Sequence, residues 1–226
     1  MKILGIETGA AIASVALCDG ETVIVQRFGQ SDKRHAETIL PLIETVLADA
    51  HATLNEIDVL AVDSGPGSFT GIRIGVSVAN AIANAKQIPV ASVDSLTALY
   101  ALADAPTAPT CAIIDAANEN GYMAFYDGGA RKLEPSAEGI AEYCQKLPDG
   151  VCFVGDAALQ CADLIKDNCK GATFAKAEQC VLTAESVCRG FLLLNNATNT
   201  PARPAYLRAC QAERMYQKHM EENSGK

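Results

Sequence analysis

Short runs of apolar residues separated by turn-forming residues open the chain, and they predict strands over residues 2–7, 12–18 and 22–28. Asp19-Gly20, between the second and third runs, is a typical hairpin turn. Farther along, longer segments with apolar residues three and four positions apart alternate with short apolar runs. This alternation predicts, in chain order, helix 32–50, strand 58–63, helix 70–86, strand 89–93 and helix 95–103.

A segment with two prolines, residues 105–109, is predicted to link this part of the chain to a second one. We therefore expect one domain over residues 1–104 and another over residues 105–226, which ends in a charged tail. The elements predicted for the second domain are strand 111–115, strand 122–126, helix 136–146, strand 151–155, helix 157–168 and helix 183–194. Because helices and strands alternate in both halves, the pattern indicates two α/β lobes of similar plan.

A glycine-rich turn between strand 58–63 and helix 70–86 specifies an unusual backbone. Gly65 and Gly67 can adopt a positive φ, Pro66 fixes φ between them, and the hydroxyl of Ser68 or Thr70 can cap the helix. The turn is not a P-loop, because no lysine follows Gly71, and its glycines are spaced one residue too far apart for a dinucleotide-binding fingerprint. Phosphate binding therefore competes with a structural turn or a contact surface.

Helix 70–86 carries small residues at every fourth position and apolar residues around most of its circumference. Such a helix either packs closely against a partner or lies in the interior of its own domain, and the pattern leaves both open. In helix 32–50 the predicted core stripe consists of Ala36, Ile39, Leu40, Ile43, Val46, Leu47 and Ala50. Together the two helices predict an apolar partner-binding patch, with interface residues Thr38, Leu42, Thr45, Ile72, Gly75, Val76 and Ala79.

Composition narrows the class of protein. The chain has 226 residues, of which 49% are hydrophobic, so one large or two modest cores can form. Its net charge of −9 and its scattered basic residues argue that any nucleic acid is held mostly by a partner. Nine cysteines without a C-x-x-C motif favour reduced, buried thiols. Because no apolar run is long enough to span a bilayer and a strand begins at once, we expect a cytoplasmic protein without membrane contact.

The sequence does not show a recognisable catalytic set. The three histidines, His35, His51 and His219, are far apart and form no H-x-x-x-H pair, and no G-x-S-x-G motif occurs. His51 and His219 are expected to be exposed. His35 either contributes to an interface or local hydrogen bond, or simply lies on the surface.

Several segments together resemble one family. They are Glu7-Thr8 with residues 14–17, Arg34-His35-Ala36-Glu37, residues 65–75, Ser95-Leu96 and residues 204–208. This combination resembles the bacterial TsaB (YeaZ) proteins of tRNA threonylcarbamoyladenosine (t6A) biosynthesis, over most of the first 126 residues. The residues matching the motif are His35, Gly65, Pro66, Gly67, Ser68, Phe69, Thr70, Gly71 and Arg73.

The resemblance implies the two-lobed fold of actin, Hsp70 and sugar kinases (ASKHA), in which each lobe is a mixed sheet flanked by helices. It implies a non-catalytic subunit that binds and activates TsaD, the subunit that transfers threonylcarbamoyl to N6 of adenosine 37 in tRNA. TsaE would join the complex, and tRNA would be reached only through it. From the apolar patch of the two helices we also expect the isolated chain to be a homodimer. No intrinsic cofactor is expected, because ATP or ADP and metal would belong to the partner subunits.

Two departures from family patterns affect the alternative, an independent ATP-binding kinase or ATPase of the same fold. Glu7 stands where nucleotide-binding proteins of this fold commonly carry an aspartate, and its longer side chain weakens the case for a nucleotide. Ala117 stands where the family usually has an arginine, so whatever that arginine contacts cannot be transferred to this chain.

Overall fold

The computed structural model describes residues 1–30, 34–103 and 107–207. The described part contains two five-stranded mixed sheets. The strands of the first sheet are β1 (Lys2–Glu7), β2 (Ser14–Asp19), β3 (Thr22–Phe28), β4 (Val59–Asp63) and β5 (Val90–Val93). They lie in the order β3-β2-β1-β4-β5, with β1, β2 and β3 antiparallel and β1, β4 and β5 parallel.

Helices cover both faces of the first sheet. On one face lie α1 (His35–Asp49) and α2 (Phe69–Lys86), whose buried residues share a core with Leu4, Ile6 and Leu60 of the sheet. A short helix α3 (Ser95–Tyr100) follows β5 and is fully buried. It joins the two halves, because Leu96, Leu99 and Tyr100 pack against strands of the second sheet.

The second sheet repeats the plan of the first. Its strands are β6 (Thr110–Asp115), β7 (Asn120–Asp127), β8 (Ala130–Gly139), β9 (Cys152–Val154) and β10 (Thr173–Phe174), in the order β10-β9-β6-β7-β8. Its helices are α4 (Ile140–Cys144), α5 (Asp156–Gln160) and α6 (Ala162–Asn168). As in the first sheet, three antiparallel strands continue into parallel ones. The predicted similarity of the two halves is confirmed.

The predictions for the second half omit strand β10, and they contain two further errors of element type and number. Strand β8 was not predicted, and it occupies the first part of the segment expected to form helix 136–146. Its charged residues and Pro135 suit a partly exposed edge strand, where a strictly alternating pattern is not enforced. The helix expected over 157–168 is two short helices that meet at Cys161.

The C-terminal part of the chain returns to the first lobe. Helix α7 (Ala184–Leu194) was predicted in the second lobe, yet it covers the face of the first sheet opposite α1 and α2. The chain then continues along this lobe, where Thr198 pairs with Val90 and the amide of Ala205 donates to the carbonyl of Ser64 over 2.7 Å. The division at residue 104 therefore does not separate the described lobes completely, and the charged tail lies outside the described residues.

Candidate functional site

The glycine-rich turn leaves the end of β4 and enters α2 directly. Gly65 has a φ of +99°, as predicted, and the peptide bond that follows it is cis. The Ser68 hydroxyl caps α2 by accepting the Gly71 amide over 3.2 Å, so Ser68 and not Thr70 is the capping residue. Gly67 does not have the predicted positive φ, and a Cβ there would make a tight contact of 3.0 Å with the carbonyl oxygen of Gly9.

The small residues of α2 pack against their own chain. A Cβ on Gly71 would lie 1.9 Å from the carbonyl oxygen of Thr8, and one on Gly75 would lie 2.2 Å from its hydroxyl. The hydroxyl of Thr8 donates to the Gly71 carbonyl over 2.8 Å. The small-residue face of this helix is therefore covered by its own chain, whereas Arg73, Ser77 and Ala81 are exposed, so the helix does not lie wholly in the interior.

This packing corrects four of the predicted interface residues. Ile72, Gly75, Val76 and Ala79 are all buried, and the three with side chains belong to the core of the first lobe. They therefore do not form an exposed patch. An apolar stripe shows that a face is covered, but it does not reveal whether sheet or partner covers it.

Helix α1 presents the other three predicted interface residues. Thr45 is exposed, whereas Thr38 and Leu42 are half-buried. The core stripe is narrower than predicted and consists of Ile39, Ile43, Val46 and Leu47. Ala36 and Leu40, which were both predicted in the core, are exposed, Leu40 by 52%, so those two predictions were wrong.

Two segments of the family motif meet at the start of α2. The Arg73 guanidinium lies 3.9 Å from the centre of the Phe69 ring, and its Nε donates to the Tyr206 hydroxyl over 2.7 Å. The two aromatic rings are 4.8 Å apart. Nearby, His35 Nε2 lies 3.1 Å from the carbonyl oxygen of Ala10, which confirms a local hydrogen bond. Residues distant in sequence thus converge at one end of the first sheet.

Two buried carboxyl groups lie beneath this surface. Glu7 and Asp63 end the neighbouring parallel strands β1 and β4, and both are 0% exposed. Burial, and then the negative charge of Asp63, raises the pKa of Glu7 well above its ordinary value. Burial likewise raises the pKa of Asp63. The sequence showed both residues but gave no sign that they are neighbours, because 55 residues separate them in the chain.

An open cavity of about 480 Å³ lies between the lobes. Residues 9–11 and 66–68 form its first-lobe wall, and Ile114, Asp115 and Asp156 lie on the opposite wall. Asp156 Oδ1 accepts the amides of Asp115, over 3.0 Å, and Ala157, over 2.8 Å. Although much of the Asp156 side chain is solvent-accessible, desolvation of its carboxyl group raises its pKa.

The charged residues that line this cavity, Asp115 and Asp156, are both acidic, so the lining offers no side-chain cation to neutralise phosphate groups. Glu7 does not line it, because its carboxyl group is buried in the first lobe. Across the ranges that the structure covers, no group of three or more histidine, cysteine, aspartate or glutamate side chains could hold a metal ion.

Two further sequence predictions can be placed. Eight of the nine cysteines lie in the described residues, and all eight are buried or half-buried, as expected, while Cys210 lies outside them. No helix in the described part of the chain is long and apolar enough to cross a membrane.

Ala117 begins a run of three residues with positive φ, Ala117 to Glu119, beside the cavity.

Proteins of similar sequence identify the family. A family model described as "TsaD: tRNA N6-adenosine threonylcarbamoyltransferase" matches residues 28–185. The "tRNA threonylcarbamoyladenosine biosynthesis protein TsaB" of Escherichia coli (strain K12) is 30% identical over 222 residues, which cover 92% of this chain and 95% of that relative. The chain belongs to the TsaB (YeaZ) family.

Solved structures confirm the fold expected of a TsaB protein. YeaZ from Pseudomonas aeruginosa superposes with a TM-score of 0.72 at 23% identity, covering 91% of this chain and 99% of that one. A ROK hexokinase from Thermus thermophilus superposes with a TM-score of 0.53 at 11% identity, covering 86% and 99%. The two mixed sheets flanked by helices are therefore an ASKHA-like fold, as predicted.

Proposed function

We propose that this TsaB-family chain is a non-catalytic subunit of tRNA t6A biosynthesis that binds and activates TsaD, with TsaE as a further component. The observation that carries the proposal is the match to E. coli TsaB, named as a t6A biosynthesis protein, along nearly the whole of both chains. The net charge of −9 supports indirect contact with tRNA through the complex.

The first lobe offers the surface for this association. Helices α1 and α2 lie side by side on one face of the first sheet. Their outer residues include exposed Leu40 and Thr45, and half-buried Leu42, Ile74 and Val78. Apolar side chains left at a helix surface are typical of partner sites. We propose that this outer face, rather than the buried face of α2, binds TsaD and, in isolated protein, a second copy of the chain.

The acidic lining of the cavity supports a role without an intrinsic cofactor. ATP or ADP and metal would then be bound by the partner subunits. The alternative, an independent ATPase or kinase, requires this chain itself to bind Mg-ATP. Isothermal titration of the purified chain with Mg-ATP distinguishes the two, because saturable binding would favour the alternative and no heat of binding is expected here.

A charge introduced on the outer face tests the partner surface. Leu42→Glu should weaken both the homodimer and the TsaD complex, because an unpaired carboxylate would be buried in the contact. Leu159→Glu is the matched control, since Leu159 is a 46% exposed leucine on α5 of the second lobe. Sedimentation velocity measures the assemblies, and circular dichroism melts confirm that each variant is folded.

A modification assay then tests the proposed role directly. Transfer of threonylcarbamoyl to tRNA is measured with TsaD and TsaE, with and without this chain. We expect modification to depend on this chain, to fall with Leu42→Glu, and to be absent when this chain is the only protein. Modification by this chain alone would contradict the non-catalytic role.

A further inference from the structure

The buried acid pair, Glu7 and Asp63, occupies a position that the proposed function does not explain. The parallel register of β1 and β4 places Ile6 beside Val62, so the next residue on each strand, Glu7 and Asp63, is also a neighbour of the other. Both side chains are 0% exposed. Gly9 closes over the pair so tightly that a Cβ there would stand close to Asp63 Oδ2.

One oxygen of each carboxyl group holds a segment of the cavity wall. Glu7 Oε1 accepts the Ala10 amide over 2.7 Å. Asp63 Oδ1 accepts the Gly65 amide over 3.0 Å and the Ser95 hydroxyl over 2.6 Å. The acid pair therefore fastens loop 8–10, turn 64–67 and the start of α3 to the ends of two adjacent strands.

The second oxygen of each group has no partner. Glu7 Oε2 and Asp63 Oδ2 are both buried and accept no hydrogen bond. Neither carboxyl group forms an ion pair within the ranges that the structure describes. Two ionised carboxylates side by side in this setting would repel each other at low dielectric without any compensating cation. A proton on one carboxyl group removes the repulsion.

The nearest titratable groups do not supply a positive charge instead. From α3 the pair faces Asp94, whose negative charge acts on Asp63 and whose carboxylate is already paired with Arg131. From the start of α1 the ring of His35 reaches only the carbonyl oxygen of Ala10. From α2 the neighbours of this loop are the uncharged Gly71 and Ile72.

We infer that Glu7 and Asp63 share a single proton at neutral pH, and that this proton keeps loop 8–10 and turn 64–67 in the arrangement that forms the first-lobe wall of the cavity. The pair then carries one negative charge. When the proton is lost at higher pH, the two carboxylates repel each other and both wall segments loosen together.

Burial raises the pKa of both carboxyl groups, and the Ser14 hydroxyl and the amides of Gly9 and Ala10 oppose this rise at Glu7 without cancelling it, so the direction agrees with this geometry. A carboxyl group whose pKa is raised by folding keeps its proton in the folded protein at a pH where the unfolded chain has lost it. The free energy of unfolding therefore falls as the pH rises from the ordinary carboxyl pKa of the unfolded chain through the raised pKa of the folded protein. One such proton changes the unfolding equilibrium constant about tenfold per pH unit within that window.

Infrared spectroscopy of the wild-type protein tests the shared proton without any substitution. At neutral pD we expect the carbonyl stretch of a protonated carboxylic acid, which is separate from the carboxylate bands. The band should disappear in Glu7→Gln, whose amide can donate to Asp63 Oδ2, and persist in Glu37→Gln. Glu37 is an exposed residue in the first turn of α1 and serves as the matched control. Absence of the band from wild-type protein would overturn the inference.

Two pH profiles test the effect on the wall. Urea unfolding is measured between about pH 5 and pH 8. The unfolding equilibrium constant should change about tenfold per pH unit in wild type and less steeply in Glu7→Gln. The amide NMR resonances of Ala10 and Gly65 should shift with one common midpoint in wild type, and this midpoint should be absent from Glu7→Gln. If that variant does not fold, Asp63→Asn takes its place. Independent midpoints, or an unchanged urea slope in the variant, would contradict the shared proton.

Discussion

Gly71→Ala tests the closest contact in the first lobe, where α2 meets the loop that covers the acid pair. The added methyl group would stand 1.9 Å from the carbonyl oxygen of Thr8, about 1 Å nearer than the 3.0 Å below which real Cβ contacts are essentially absent. The opposing atom belongs to the backbone and cannot rotate away. Loop 8–10, to which Thr8 belongs, is also held in place, because the Ser68 amide at the start of α2 donates to the Gly9 carbonyl over 2.9 Å.

Three effects determine the size of the change. Alanine improves helix propensity over glycine by about 1 kcal/mol. Overpacking a buried contact costs about 1–3 kcal/mol. A shift of the loop would also strain the hydrogen bond from Thr8 to Gly71, worth about 1 kcal/mol. Because the two losses exceed the gain, we expect the free energy of unfolding to fall by about 2 kcal/mol.

Urea denaturation followed by circular dichroism measures this change, with the m-value as a check on the unfolded state. Gly29→Ala is the control, because the nearest atom to a Cβ at Gly29 is the carbonyl oxygen of Ala13 at 3.4 Å, an ordinary contact. That variant should stay within about 0.5 kcal/mol of wild type. If Gly71→Ala were as stable as Gly29→Ala, the close approach of α2 to the loop would be wrong.

Three further substitutions at two positions test contacts outside the acid pair. Arg131→Met should lower the free energy of unfolding by about 1–3 kcal/mol, because the half-buried Asp94 carboxylate would lose the cation that donates to it over 2.7 Å; an unchanged urea midpoint would contradict this. Tyr206→Phe removes only the hydroxyl that accepts a hydrogen bond from Arg73. Because Tyr206 is 44% exposed, we expect the free energy of unfolding, measured by thermal melting, to fall by no more than about 1 kcal/mol. Tyr206→Ala should lower the melting temperature further, because it also removes the ring contact with Phe69; equal melting temperatures for the two variants would show that the ring contributes nothing.

The sequence by itself determined most of the elements in the first half and the chemistry of the turn. Strands 2–7 and 22–28 were predicted with their observed bounds, because each is a short run rich in apolar residues that turn-forming residues bound. The positive φ of Gly65 was also predicted, because it depends on neighbouring residues alone. The sequence left Ser68 and Thr70 as alternative caps, and only the structure selects Ser68.

Only the tertiary structure decided what these elements face. Gly75 and Ala79 form an apolar stripe in the sequence, but whether a sheet or a partner covers it depends on how α2 lies on β1 and β4. Helix α7 follows the second sheet in sequence and packs on the first, because the buried face of that sheet needs an apolar cover. Glu7 and Asp63 become neighbours only when two strands pair in register, and their shared environment then sets their charge. In the first half of the chain local patterns fix the type of element, whereas contacts between residues distant in sequence fix its partner and its electrostatics.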